Sequence, residues 1–324
     1  MPEDRIYKNE ERIHLLTKAC YLYYNEYLTQ SQIAGQLGIT RQMVSRLLQR
    51  AKKEGIVHIQ IDSPTISIAD LEVKLQKAYN LKSAIVIKDA GISSQNLKDK
   101  LGVTAAKFLQ EVLAPGLTVG LGWGTTLRAM AEYFSRNNNA VVPGVEVVQL
   151  MGGMNNVEYN VLAQDIVRLI AISLEARDHY LLAPCIVKDQ KARDMFLREV
   201  IIKDVFERYK ELDYAFLGIG TVTDDSIVAQ SGNANAAEIN ELRQYGAVGE
   251  ICLRYFDQNG CFLTATPFSQ RIISIEIEQL KKIKNVVAVA GGAEKHEAIS
   301  SALKSGIIKI LITDEDAARF LLAQ

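Results

Sequence analysis

The sequence is poor in the features that mark disulfide-rich, membrane and zinc proteins. Its 324 residues contain four cysteines without CxxC spacing, which indicates reduced, buried thiols rather than a disulfide framework. No apolar run reaches the roughly 18 residues of a membrane span. The opening segment, MPEDRIYKNEER, is charged and polar, unlike a signal peptide. The four histidines do not cluster, so we expect no metal site. Reduced cysteines, without a signal peptide or membrane span, lead us to expect a cytoplasmic protein.

Two nucleotide-binding signatures are also missing. No GxxxxGK[ST] P-loop occurs. The dinucleotide pattern GxGxxG is absent as well, because Gly120-Leu121-Gly122 continues as Trp123-Gly124, and the following strand, VEVVQL, does not end in an acidic residue. The sequence therefore argues against a nicotinamide cofactor, and we predict no other cofactor.

Charge is nearly balanced over the chain but not locally. The formal net charge is −1, with 48% hydrophobic and 23% charged residues, as in an ordinary globular protein. A run without any acidic residue nevertheless contains Arg41, Arg46, Arg50, Lys52 and Lys53. The length allows two domains, and the local positive field suits a module that docks one face on DNA.

Residues Leu28–Arg50, LTQSQIAGQLGITRQMVSRLLQR, predict two short helices joined by a tight turn. Thr29 and Gln32 have the spacing of a capping box at the start of the first helix. Gly38 is placed to adopt the left-handed backbone that ends it, and Thr40 can cap the second helix. This is the pattern of a helix-turn-helix.

The outward side chains of the second helix are of the types that read base edges or hold phosphates. With the capping residues they form the predicted DNA-binding set: Thr29, Gln30, Gln32, Thr40, Arg41, Gln42, Ser45, Arg46 and Arg50. A helical hairpin with a solvated basic face is the alternative. The caps, the turn glycine, the spacing of the apolar anchor Val44 and the basic face together favour docking on operator DNA.

Flanking segments complete the predicted winged helix-turn-helix domain, residues 1–62. A leading helix from about Glu10 to Tyr27 supplies its third helix, and the alternating segment Ile56–Ile61 predicts a strand that resembles a wing. Residues 63–80 are predicted to be a linker and an oligomerisation helix. Its seam, with spacings of three and four, consists of Ile68, Leu71, Leu75 and Ala78. The alternative is a helix lying on its own domain. Since helix-turn-helix proteins usually read two half-sites, we expect a homodimer or homotetramer.

From Leu81 to the end of the chain, strand-like apolar runs alternate with helical or loop segments. This alternation predicts a parallel, doubly wound α/β sheet in residues 81–324. The runs are Ser83–Lys88, Leu117–Leu121, Val145–Leu150, Tyr180–Leu182, Tyr214–Ile219, Asn285–Ala290 and Ile307–Ile312. Two strands flanking Gln258-Asn259-Gly260 predict an antiparallel excursion near Glu250–Leu263.

Glycine-rich loops follow several of these strands. Ligands of open α/β sheets bind beyond the carboxyl ends of the strands, so we expect these loops to form one pocket. Glycines let the backbone approach an anion, and a helix start with Thr hydroxyls offers donors, which suits a small phosphorylated polyol. The candidate residues are Gly122, Trp123, Gly124, Thr125, Thr126, Gly152, Gly220, Gly291 and Lys295. Taken singly, each glycine pair also fits an ordinary tight turn.

The order of motifs resembles the SorC family of bacterial transcriptional regulators, which includes the central glycolytic gene and deoxyribonucleoside regulators. The motifs are LTQSQIAGQLGITRQMVSRLLQRAKKEGIVHIQI, GLGWGTTL, QLMGGM, FLGIGTV, GAVGEICLRYFDQNG and VAVAGGAEKHEAIS. The resemblance covers nearly the whole chain. It implies a Rossmann-like sugar-binding domain, similar in fold to glucosamine-6-phosphate deaminase and ribose-5-phosphate isomerase, whose sugar or sugar-phosphate effector controls operator binding.

The resemblance also implies roles for two charged residues. Glu250 occupies a position where the family most often has Asp, which typically faces sugar hydroxyls; the longer side chain is expected to change which sugar fits. Lys295 is the lysine of the GGxxK motif, which, with the Thr125-Thr126 loop, faces a phosphate or another polar end. The alternatives are that Glu250 only pairs with a nearby cation and that Lys295 is a solvated helix residue.

An enzyme is the competing function. A sugar-phosphate isomerase or deaminase fused to a DNA-binding domain would need a carboxylate base, and a deaminase also a histidine. The segment LGIGTVTDDSI is similar to a deaminase loop, but its Asp224-Asp225 pair is displaced and no histidine follows. We therefore predict binding without turnover. A DNA-binding protein without any effector would leave the glycine loops unexplained.

Overall fold

The computed structural model describes residues 2–59, 66–88, 94–137, 141–154 and 163–324, with residues 2–11 and residue 66 as backbone only. The chain divides into two compact units, Met1–Ile66 and Ser67–Gln324. Each is described by itself below.

The described residues of the N-terminal unit form three helices: α1 (Pro2–Tyr24), α2 (Gln30–Leu37) and α3 (Arg41–Lys53). Their small core consists of Leu16, Ala19, Cys20, Ile33, Val44, Leu47, Leu48 and Ala51. Met43, in the first turn of α3, lies outside this core and is 42% exposed. The predicted helix-turn-helix is confirmed in its helices and its turn.

The caps of α2 and α3 follow the sequence pattern. The Thr29 and Gln32 side chains each accept a hydrogen bond from the other residue's backbone N–H, at 3.4 and 2.9 Å. Gly38 is left-handed, with φ of 64°. The Thr40 hydroxyl accepts from the N–H of Met43 at 3.2 Å. Local chemistry alone therefore fixes where both helices begin and where the turn lies.

The predicted wing strand is not formed by residues 56–59. The N–H groups of Ile56 and Val57 turn back to the Ala51 carbonyl at the end of α3, at 2.9 and 3.2 Å, so neither is available to a strand ladder. Residues 60 and 61, and the predicted turn at 62–65, lie outside the described residues.

Helix α4 (Ile66–Tyr79) corrects the predicted oligomerisation seam. Its apolar side chains are buried in the core of the second unit: Ile68, Leu71 and Leu75. The Tyr79 hydroxyl also donates to the Leu321 carbonyl at 2.9 Å, whereas Ala78 is exposed. Heptad-like spacing predicted an apolar face correctly but not its partner, which is the helix's own domain.

Besides α4, the described residues of the second unit form ten strands and ten α-helices. The strands are β1 (Ser83–Ile87), β2 (Thr118–Leu121), β3 (Glu146–Gln149), β4 (Arg177–His179), β5 (Tyr214–Leu217), β6 (Gly220–Thr221), β7 (Gly249–Ile251), β8 (Arg254–Phe256), β9 (Asn285–Val289) and β10 (Ile310–Asp314). The helices are α5 (Ser94–Val112), α6 (Thr125–Asn137), α7 (Ala163–Leu174), α8 (Gln190–Phe196), α9 (Val200–Arg208), α10 (Ile227–Gln230), α11 (Ala236–Gln244), α12 (Ile277–Leu280), α13 (His296–Lys304) and α14 (Glu315–Leu322).

Seven of these strands form a parallel sheet in the order β1-β10-β9-β5-β2-β3-β4. Helices α5, α6 and α7 pack on one face, and α4, α9, α13 and α14 on the other. Strand β5 shows the alternation, because Phe216 points into one core while Ala215 and Leu217 point into the other. The predicted doubly wound α/β fold is confirmed. One strand lies earlier in the chain than predicted: it was expected at Tyr180–Leu182 and is β4, Arg177–His179.

The predicted antiparallel excursion is a separate sheet of β6, β7 and β8. Its main turn was expected at Asn259-Gly260 but lies at Cys252-Leu253, both left-handed with φ of 50° and 64°. A two-residue turn with both φ positive usually carries Asn or Gly, and the sequence here has neither. Asn259-Gly260 forms a second turn, beside a single bridge between Phe256 and Phe262.

Candidate functional site

The outer surface of α3 presents the predicted recognition residues. Arg41, Gln42 and Arg46 are exposed, and Ser45 is partly exposed. Arg41 and Arg46 form no ion pair with any described residue, whereas Arg50 pairs with Glu54 at 2.5 Å. The first turn of α3 carries no acidic residue. This face can therefore offer free guanidinium groups to an anionic partner.

Three of the predicted DNA-binding residues are engaged in helix capping. Thr29 and Gln32 hydrogen-bond each other, and the Thr40 hydroxyl holds the start of α3. Gln30, in the first turn of α2, is partly exposed. These residues lie at helix N-termini, which are suited to backbone phosphates rather than to bases.

A cavity of about 320 Å³ opens beyond the carboxyl ends of β2, β5 and β9. It brings together seven of the predicted effector residues: Trp123, Gly124, Thr125, Thr126, Gly220, Glu250 and Lys295. Sequence reasoning missed several polar lining residues, namely Lys98, Thr221, Thr223, Asp225, Ser226 and Glu294. The strand-end rule thus predicted the location, because the loops after parallel strands converge at one edge.

Three predicted glycines do not line the cavity. A Cβ on Gly152 would lie 2.5 Å from the Ala183 carbonyl oxygen, and one on Gly291 would lie 2.1 Å from the Asp314 carboxylate. Gly122 is buried and donates its N–H to Phe216, at 2.9 Å. Gly152 and Gly291 need glycine because neighbouring groups come close, so they shape the loops behind the site.

Glu250 is the buried carboxyl of the cavity, with only 7% of its surface exposed. Its Oε2 accepts from the N–H of Leu253 at 2.6 Å, across the β7–β8 turn. Burial raises the pKa of this carboxyl to about 7, although the Leu253 hydrogen bond and the charge of Lys295 act in the opposite direction. The group therefore changes its charge near neutral pH.

Lys295 extends from the start of α13 into the same cavity and is partly buried. Its Nζ donates to the Ile219 carbonyl at 2.8 Å. Burial lowers the pKa of this amine; Glu250 counteracts that effect, and Lys98 adds to it. Among the described residues Glu250 makes no ion pair within 4.0 Å, so neither simple alternative, a paired Glu250 or a solvated Lys295, describes the site. Both groups keep hydrogen-bonding capacity for a ligand.

The N-terminus of α6 forms a third part of the cavity wall. Gly124 has a φ of 130°, and its carbonyl accepts the first helical hydrogen bond from Arg128 at 2.9 Å. The N–H groups of Thr125 and Thr126 precede that ladder and face no intrahelical acceptor. With two threonine hydroxyls and Lys98 of α5 nearby, this end of the cavity favours an anionic group.

The two aspartates of the loop after β6, Asp224 and Asp225, have different surroundings. Asp224 pairs with Arg243 at 2.8 Å, Ser226 caps α10, and Asp225 lines the cavity. The residue that caps α10 is therefore Ser226 and neither aspartate.

No histidine lies among the cavity-lining residues. His296 follows the glycine loop after β9, but its ring stacks on Phe320 with centroids 4.7 Å apart. In the part of the chain that the structure describes, no three His, Cys, Asp or Glu side chains come together to hold a metal ion. No described helix is both long and apolar enough to cross a membrane.

Comparison with known proteins matches both units. A family model described as a Crp-like helix-turn-helix domain matches residues 21–76, and one described as a sugar-binding domain matches residues 63–323. The deoxyribonucleoside regulator of Bacillus subtilis (strain 168) is 32% identical over 313 residues, which cover 97% of this chain and 98% of that protein. The sorbitol operon regulator of Klebsiella pneumoniae is 29% identical over 316 residues, covering 97% and 99%. The crystal structure of the full-length sorbitol operon regulator SorC from Klebsiella pneumoniae gives a TM-score of 0.74 at 29% identity, over 96% of this chain and 99% of that chain.

A helix-turn-helix unit joined to a sugar-binding α/β unit defines a sugar-responsive, DNA-binding transcriptional regulator. The chain belongs to the SorC family of such regulators, as its motifs predicted.

Proposed function

We propose that the cavity of the second unit binds a sugar or sugar phosphate and that this ligand sets the affinity of the chain for its operator. The observation that carries the proposal is the convergence of Glu250, Lys295 and the α6 N-terminus on one cavity of about 320 Å³. A carboxyl and an amine that are not paired with each other suit a ligand with several hydroxyls, and the helix start suits a phosphate.

Operator recognition is assigned to the outer face of α3. Its proposed base-reading and phosphate-holding residues are Arg41, Gln42, Ser45, Arg46 and Arg50, with Thr29, Gln30, Gln32 and Thr40 at helix starts beside the backbone. A regulator that reads two half-sites works as a homodimer or homotetramer, in the cytoplasm where its operator lies. The oligomer interface must lie elsewhere than on the buried face of α4.

Control of operator binding by the ligand requires that the ligand bind two arrangements of the chain with different affinities. The ligand can shift operator binding only if it binds the DNA-competent and DNA-incompetent arrangements with different affinities, and the effect is reciprocal. Operator DNA must therefore change the affinity for the effector by the same factor.

A thermal-shift screen of sugars and sugar phosphates tests the proposal, since a specific ligand raises the melting temperature by mass action. Each compound that stabilises the wild type is repeated with Lys295→Ala, which should lose the shift. A set in which no sugar or sugar phosphate stabilises the protein, or in which Lys295→Ala responds fully, would contradict the assigned site.

An isomerase or deaminase activity is the second candidate, because a buried carboxyl with a pKa near 7 can act as a general base. Incubating each stabilising sugar phosphate with the protein and analysing the products decides between the two functions. We expect the ligand to remain unchanged. Conversion of many ligand molecules by each protein molecule would establish an enzyme.

A further inference from the structure

Tyr27 occupies a backbone position that normally belongs to glycine. It follows α1 with a φ of 55°, and the N–H of the next residue, Leu28, reaches back to the Leu22 carbonyl at 3.1 Å. The bond closes the chain around a residue in the left-handed region, where glycine avoids a steric penalty. Leu28 packs against the core of the unit, so the turn places this side chain on that core.

The Tyr27 side chain gains no packing in return for this strained backbone. Its surface is 87% exposed, the highest value among the large hydrophobic side chains that are exposed. A bulky residue held in an unfavourable conformation without burial is a reason to look for a function outside the isolated unit.

Beside Tyr27 lies a hollow in the surface of the helix-turn-helix unit. Its walls are Tyr23, Tyr24, Tyr27, Leu28, Thr29, Gln30, Ser31 and Arg41. The wall carries hydroxyl, amide and guanidinium donors and no carboxylate. Because Arg41 is the first residue of α3, the hollow continues directly into the basic face of the recognition helix.

We propose that Tyr27 is a DNA-backbone contact: its hydroxyl donates to a phosphate oxygen of the strand that passes over this hollow, which Arg41 also lines. The donor-rich, carboxylate-free lining fits an anionic backbone better than a protein partner. The contact positions α3 in the groove and carries no sequence information. The inference rests on DNA binding by this unit.

The test compares operator affinity with stability in Tyr27→Gly. Fluorescence anisotropy is measured on the 324-residue chain with two probes: a duplex that the wild type selects from a random-sequence pool, and a scrambled duplex of the same composition. Since a hydrogen bond to a charged group is lost, we expect affinity for both duplexes to fall about tenfold. The melting temperature should stay constant or rise, because glycine relieves the left-handed strain.

Two further variants complete the experiment. Tyr27→Phe removes only the hydroxyl and should reproduce most of the loss. The matched control is Tyr21→Phe, a 55% exposed tyrosine of α1 outside the hollow, which should bind as the wild type does. The proposal is overturned if Tyr27→Gly binds both duplexes normally, if only the selected duplex is affected, or if melting temperature and affinity fall together. Normal affinity for DNA with an altered effector response would instead indicate a protein contact. A wild type that selected no duplex from the random-sequence pool would show that the DNA-binding assignment itself had failed.

Discussion

Gly220 faces Glu250 across the β6–β7 pair, and the missing side chain of Gly220 makes the space in which the Glu250 carboxyl lies. A Cβ on Gly220 would be 2.1 Å from Oε1 of Glu250, far inside van der Waals contact. The glycine that sequence reasoning placed in an anion-binding loop therefore accommodates a carboxyl of the protein itself.

Gly220→Ala should displace this carboxyl and weaken binding of the stabilising sugar about tenfold or more, because one buried polar contact to the ligand is lost. Isothermal titration with a ligand from the screen measures the effect. Operator affinity without ligand should be unchanged, since the substitution lies in the other unit. Gly153→Ala is the matched control in the same unit, since an added Cβ there meets no atom closer than 3.8 Å and the residue lies outside the cavity. Sugar affinity that is intact in Gly220→Ala would remove Glu250 from the ligand-binding set.

Glu250→Gln should change how stability depends on pH. The Glu250 carboxyl has an ordinary pKa of 4.5 when unfolded and about 7 when folded. Below pH 4.5 it is protonated in both states. Between 4.5 and about 7 the unfolded chain ionises first, so the wild type loses stability as pH rises, by at most about 3 kcal/mol.

The measurement is the difference in melting temperature between Glu250→Gln and the wild type, taken at several pH values. Glutamine cannot ionise, so the difference should shift in favour of the variant from about pH 5 to about pH 8. Titration of all other groups is common to both proteins. A difference that does not vary with pH would mean that Glu250 ionises as an ordinary surface carboxyl does.

Lys98 distinguishes a sugar phosphate from a free sugar. Its side chain lines the cavity near the start of α6, it makes no ion pair with a described residue, and its charge contributes to lowering the pKa of Lys295. Lys98→Ala should weaken a phosphorylated ligand about tenfold and leave the corresponding free sugar unaffected, because only the phosphate needs the second cation. Lys100→Ala, an exposed lysine of the same helix outside the cavity, is the matched control. Equal losses of affinity for the phosphorylated ligand in both variants would mean that Lys98 contributes only its positive charge and does not contact the phosphate.

The sequence allowed the location of the cavity to be predicted because strand-end loops must converge at one edge of a parallel sheet, whatever their details. It did not reveal Lys98, since a single lysine on an amphipathic helix carries no sign of which loop its helix will face. It also did not reveal that Gly152 and Gly291 serve close packing, because a glycine pair after a strand looks the same whether a ligand or a neighbouring chain segment approaches it.

The wrong predictions have a common physical origin. The apolar spacing of α4 was read as a dimer seam, yet periodicity reports only that a face is buried and not what covers it. The turn at Cys252-Leu253 lacks Asn and Gly, so packing in the second unit imposes a conformation that local propensity does not favour. Where local signals were chemical rather than periodic, as at Thr29, Gly38 and Thr40, the prediction was confirmed to the residue.

Arg46→Ala tests the recognition face of α3 directly. The Arg46 side chain is exposed and makes no ion pair with a described residue, so its loss should leave the fold and the ligand-induced rise in melting temperature intact. Affinity for the selected duplex should fall by about 1–3 kcal/mol if Arg46 reads a base. If it holds a phosphate instead, binding to selected and scrambled duplexes should weaken alike, and the dependence of log affinity on log salt should lose about one unit of slope. Arg136→Ala, an exposed arginine of α6 in the other unit, is the control for the loss of one positive charge. Affinity and salt dependence that match those of the control would show that α3 does not dock through this residue.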